Sequence, residues 1–169
     1  MNWLLEDLPH KHPIHIEKPS MPPLNVAATE DLAPAWPPEL MSGVPVMDRL
    51  HHDLFIALDA LCGSDDVAFC TKFTAFVTQI EQAFRKEESW MDDVDLLTNA
   101  AHQEQHARTL AALHHIHALV MDGNLDIGRH VVKDLLPQWL SFHFSTMDAT
   151  FALALQLTEM GREPSPLMI

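Results

Sequence analysis

The apolar positions of this chain change character at about residue 44. From there Val44, Met47, His51, Leu54, Phe55, Leu58 and Leu61 recur at steps of three and four, the spacing that lines one side of an α-helix. A first helix is predicted over about 46–62 and is broken at Gly63-Ser64-Asp65-Asp66, where Ser64 or Asp65 can cap the next helix. A second spans about 66–91, with Phe69, Phe73, Phe76, Val77, Ile80, Phe84, Glu87 and Met91 near one side. Asp92-Asp93-Val94-Asp95 turns the chain into a third helix over about 98–121, ended by Asp122-Gly123-Asn124. The fourth runs over about 126–160 through Val131, Leu135, Trp139, Leu140, His143, Met147 and Phe151. Pro137 should kink it or mark its effective start, and Gly161, Pro164 and Pro166 stop it. Four amphipathic helices with short loops predict an all-α fold, an antiparallel up-down four-helix bundle over about 44–162 with a tail at 163–169.

Residues 1–43 read differently. Eight of the twelve prolines lie there, which excludes any long helix and predicts a Pro-rich arm that is extended over the domain or partly disordered. Trp3, Leu4, Leu5 and Leu8 are candidates for a short docking turn, and His10, His12 and His15 read as solvated tail residues. The length of 169 residues fits one domain with a proper core. A net charge of −14 with only 10 Lys+Arg argues against nucleic acid or an anionic membrane surface as partner. No apolar run reaches the length of a membrane span, and the N-terminus lacks a secretory layout, so a cytoplasmic location is expected. Cys62 and Cys70 are expected to be reduced and buried.

The chemistry centres on His102-Gln-Glu-Gln-His106. Two imidazoles four apart share one helix face and can meet one metal ion. Alone such a pair is weak, but Glu87, His143 and Asp148 fall on the apolar sides of their helices. Counted from the turns, Glu87 and His102 lie about six and seven residues away, and His106 and His143 about 16 and 19, so three helices converge on one level. His51 fits less well, about 12 residues from its turn against about 20 for Glu87. Unpaired carboxylates are costly inside an apolar bundle, and a pair of cations compensates them. Imidazole with carboxylate suits Fe, Mn or Zn. His143 and Asp148 are five apart, about 140° on an ideal helix. They either straddle the interior or are aligned by a single π-type turn. Asp48, one turn before His51, is a candidate hydrogen-bond acceptor for that imidazole, or simply a first-turn acid. His52, His114, His115 and His130 fall off this stripe, and His117 lies about 16 Å along the helix from His106.

The order Trp36…Gly43-Val44…Met47-Asp48-x2-His51-x2-Leu54-Phe55, Phe84-x2-Glu87-Glu88-x2-Met91, His102-x3-His106 and Trp139-Leu140-x2-His143-x4-Asp148 resembles bacterial hemerythrin over roughly 36–155. The resemblance implies a four-helix bundle holding a non-haem di-iron centre, two Fe ions (Fe2+/Fe3+) with a bridging oxo or hydroxo group. It implies that His102, His106 and His143 hold one iron, His51 and a second His hold the other, and Glu87 and Asp148 bridge them. The family pattern on the second helix is H-x-x-x-E, and here Ala83 stands four residues before Glu87. Water or hydroxide is the preferred filler of that position, which leaves the second iron more open. Gln79 or Glu88, a tail His, or an empty or mixed-metal second site are the alternatives. The family's bulky apolar residue two after the fourth-helix His is here Ser145, a hydroxyl that either wets the pocket or bonds a neighbouring carbonyl. The pocket is thus expected at Ala83, Leu140 and Ser145.

Two functions follow. One is O2 storage, delivery or sensing at the metal pair, with an unidentified redox partner. The other is an enzyme that uses the more open iron on O2, peroxide or nitric oxide. A metal-stapled bundle without chemistry ranks last, because a bundle of about 120 residues folds without metal.

Overall fold

The structure, a computed structural model, describes residues 37–94 and 96–161, with side chains to residue 158. Trp36, the arm with His10, His12 and His15, and the tail beyond Gly161 lie outside the described residues. A 3-10 turn at Pro38–Leu40 precedes α1 (Pro45–Cys62), α2 (Asp66–Met91) and α3 (Asn99–Met121). The fourth rod is continuous but composite: α4 (Leu125–His130), a π turn at Val131–Leu135, α5 (Leu136–His143), a second π turn at Phe144–Asp148, and α6 (Ala149–Gly161). The four helical rods are all-α, with no strand among the described residues.

Each start has a local cause. Asp65 caps α2 by accepting the Ala68 amide at 2.8 Å. Asn124 begins the fourth rod by accepting from the Ile127 amide. At α1 the preceding Val44 has no capping side chain, and Pro45 takes the first turn, where a missing N–H costs nothing. The turn leading into α1 is instead tied to the helix itself: the Ser42 amide and hydroxyl both donate to Asp48 Oδ1, at 2.6 and 2.7 Å. Gly43 makes that turn at φ 75°, and the Cβ of any other residue would stand 3.0 Å from the Gln156 amide.

Each π turn admits one extra residue and so rotates the buried stripe. Val132 and Leu136 are buried where periodicity pointed to Val131 and Leu135, and Leu135 is 51 % exposed. The wider turn also accommodates Pro137, so the rod is adjusted before it rather than broken at it. Gly128 lets α4 close on its neighbours, since a Cβ there would lie 2.5 Å from Val120 Cγ2 and 2.9 Å from the Phe69 ring.

The core has two apolar groups. One holds Leu54, Phe69, Phe73, Phe76, Ile80, Phe84, Leu140 and Phe144; the other holds Val44, Met47, Trp90, Met91, Phe151 and Leu155. Between them lies a polar layer. The two thiols are free, but neither is buried: Cys62 is exposed and Cys70 half-buried, each beside a backbone carbonyl, Val132 O and Val120 O. No described helix is long and apolar enough to cross a membrane.

Candidate metal centre

Seven polar or charged side chains are buried among the described residues, and six of them meet in the layer between the two apolar groups: His51, Glu87, His102, His106, His143 and Asp148. The seventh, Asp48, stays with Ser42. One helix turn separates His102 from His106 on α3. The π turn at Phe144–Asp148 swings Asp148 onto the same face as His143, which decides between the two arrangements open for a spacing of five.

Ligating atoms of Glu87, His102, His106, His143 and Asp148 all lie within 4.8 Å of one another. His143 Nε2 is 3.0 Å from both His102 Nε2 and His106 Nε2. The two carboxylates divide their oxygens. Asp148 Oδ1 faces His102 at 2.8 Å and His143 at 3.2 Å, while Oδ2 faces His51 at 3.2 Å. Glu87 Oε2 faces His106 at 3.4 Å, while Oε1 faces His51 at 3.1 Å. Glu87 Oε2 and both Asp148 oxygens are buried without a hydrogen bond. They are close to imidazole nitrogens but not aligned with them, as expected when lone pairs converge on a common point.

The outer ring nitrogens settle the tautomers. His106 Nδ1 donates to Glu88 Oε1 at 3.1 Å, and His143 Nδ1 donates to Gln105 Oε1 at 3.1 Å. With the proton held outside, each Nε2 presents a lone pair inward. Two such lone pairs 3.0 Å apart repel unless a cation lies between them. That separation is also what adjacent ligands span on an octahedral ion with bonds of about 2.1 Å. The donor set therefore fits a transition-metal ion.

Electrostatics agree. Burial holds His106 in its neutral form, and the neighbouring His102 and His143 reinforce this, so its pKa falls to about 3. Burial opposes a charge on His51, but Asp148 and Glu87 outweigh it and raise its pKa to about 9. Burial and the charge of Asp148 push Glu87 up, partly offset by His51. For Asp148 burial works the other way, but His102, His143 and His51 prevail and hold it well below the usual carboxylate range.

Aromatic rings seal the layer. Phe84 stacks on His106 at 3.9 Å, Trp139 on His143 at 4.6 Å and Phe144 on His51 at 3.7 Å. Phe151 meets His102 edge-on from the other apolar group. A solvent cleft of about 540 Å³ lined by Arg85, Glu88, Ser89, Asp92, Gln103 and Ala107 opens beside the outer side of Glu88.

Not every expected residue joins. Ala83 and Leu140 are buried in the apolar wall, but Ser145 is exposed and donates to Phe142 O at 3.1 Å. The π turn brings Phe144 rather than Ser145 to the His51 side. Gln79, a candidate to replace the missing imidazole, donates instead to Asp53 O at 3.1 Å. Glu88 is engaged by His106. Asp48 makes no bond to His51: its Oδ2 and His51 Nδ1 are both unpartnered. Among the other histidines, His114, His115 and His130 are exposed, His52 is half-buried, and His117 bonds Thr74 Oγ1 at 2.8 Å. Gln105 was missed from sequence; its place between the two α3 histidines was the available signal.

Over 113 residues, 67 % of this chain and 82 % of the relative, the sequence is 27 % identical to the bacteriohemerythrin of Ralstonia nicotianae. The chain is hemerythrin-like. No family model and no solved structure matches it. The hemerythrin-like bundle thus combines a described relative with a buried His, Glu and Asp cluster that can hold metal.

Proposed function

We propose that this is a non-haem di-iron protein that binds O2 for storage, delivery or sensing. His102, His106 and His143 would hold one iron and His51 the other, with Glu87 and Asp148 shared between them; an oxo or hydroxo group would complete the pair. The observation that carries this is the division of the carboxylates, each turning one oxygen to the three-histidine side and one to His51. When bound, the iron pair supplies the electrons for reversible O2 binding. The chain's own residues orient and exclude. Glu88 and Gln105 hold His106 and His143 with Nε2 inward. Phe84, Leu140, Phe144 and Phe151 keep bulk water from the layer.

The same reading takes residues 44–162 as one antiparallel up-down bundle behind the Pro-rich arm. Supporting it, Lys72 donates to Ala60 O and Gln79 to Asp53 O, so partners run in opposite order along α1 and α2. A cytoplasmic location belongs to the same reading.

Protein supplied with excess Fe2+ should take up two iron atoms per chain and develop a charge-transfer band on exposure to O2 that persists for minutes or more. Absence of iron, with normal folding, overturns the proposal. The alternative is an enzyme acting on O2, peroxide or nitric oxide. It is favoured by the small ligand set around His51 and disfavoured by the outward Ser145. Rapid decay of the band with hydrogen peroxide consumption would decide for it.

A further inference from the structure

We propose that the two halves of the centre hold metal unequally: one ion is retained by His102, His106 and His143, and the ion on the His51 side exchanges freely. This rests on the metal reading above. The three-histidine side gathers five candidate ligands, His102, His106, His143, Glu87 and Asp148. Among the described residues, the only carboxylates or imidazoles paired with His51 are the shared Glu87 and Asp148. Ala83, one turn before Glu87 on α2, is buried in the same apolar group as Phe144, which lies flat on the His51 ring, 3.7 Å away at 10°.

The bracing is unequal too. Glu88 and Gln105 fix two imidazoles from outside, whereas His51 Nδ1 has no hydrogen-bond partner. Asp48, the acid one turn away, is committed to Ser42. Lost bracing of this kind weakens metal binding by about 10- to 100-fold.

The two sides also differ in what they do without an ion. His51 Nε2 donates to Glu87 Oε1 at 3.1 Å, so that half is satisfied by a hydrogen bond that an incoming ion must displace. The inward lone pairs of His106 and His143 have no such substitute. Metal therefore competes with a stable arrangement on one side and relieves a repulsion on the other.

The test is an anaerobic titration of the metal-free, full-length protein with Fe2+, read by calorimetry and by metal content after gel filtration. One equivalent should survive filtration, and the second step should be weaker by about 100-fold or more. His51→Ala should abolish the weak step and keep the tight ion. Ala83→His, checked for folding by circular dichroism, should raise the retained metal towards two equivalents. Two equally tight equivalents, or loss of the tight ion in His51→Ala, overturn the inference while leaving the metal reading intact. No binding at all overturns both.

Discussion

Glu88 lies half-exposed on α2 and touches none of the inward nitrogens, yet its carboxylate determines which nitrogen of His106 carries the proton. Glu88→Ala should lower metal affinity by about 10- to 100-fold, and Glu88→Gln, which keeps an acceptor, by less; competition with a chromophoric chelator measures both. His51 carries a different signature. Its pKa is raised from 6.5 to about 9 in the fold, so its contribution to stability is complete below pH 6.5 and is lost as pH rises through 9. Metal-free protein should therefore lose stability between pH 6.5 and 9 in urea titrations. The metal-bound form should show a flatter profile, because metal already occupies Nε2. A metal-free profile that stays level across this range contradicts the pairing of His51 with Asp148 and Glu87.

At the scale of the helices, two positions set the geometry from outside the site. Asp48→Ala removes the acceptor of two Ser42 bonds at the start of α1, and hydrogen bonds to a charged group are worth about 1.5–3 kcal/mol. A loss in that range, seen as a lower urea midpoint at unchanged slope, is expected. Gly128→Ala drives a methyl into Val120 and Phe69 and should cost about 1–3 kcal/mol by the same measurement. The helix limits were legible in the sequence to within a residue, because Asp65, Gly63 and Asp122-Gly123 act locally. The buried stripe of the fourth rod was not, since apolar spacing alone does not reveal a turn of wider pitch. Leu135 therefore falls one position off the buried stripe while Val131 still packs against it, and of the two readings of Ser145 the bond to a neighbouring carbonyl is the one it makes, with Phe144 standing against His51. Of the two readings of Asp48, the first-turn acid is the one it fits, and a spacing of three to His51 says nothing of Ser42, which folds back from outside the helix.

For the molecule as a whole, the six buried residues that gather between the apolar groups had all been named from sequence, because charge inside an oily bundle needs a reason. The mismatch in level expected for His51 did not keep it away, since it lies 3.1 Å from Glu87. Removing metal should leave the helical signal in place, as the two apolar groups persist, but lower the melting temperature. At a free metal concentration of about 100 times the dissociation constant, the difference amounts to about 2.7 kcal/mol. Unchanged melting with and without iron would mean that the cluster does not bind it.

The wide turn at Phe144–Asp148 makes the fourth rod sensitive to length rather than to composition. Deleting Thr146 and letting the backbone relax to ordinary pitch would leave Asp148 four steps from His143, about 40° away on an ideal helix, so the carboxylate would keep its face. Such a shortened chain would gain regularity and keep the carboxylate, whereas one further residue at ordinary pitch would carry it about 120° away, so insertions in these five residues should be far less tolerated than exchanges of their exposed side chains.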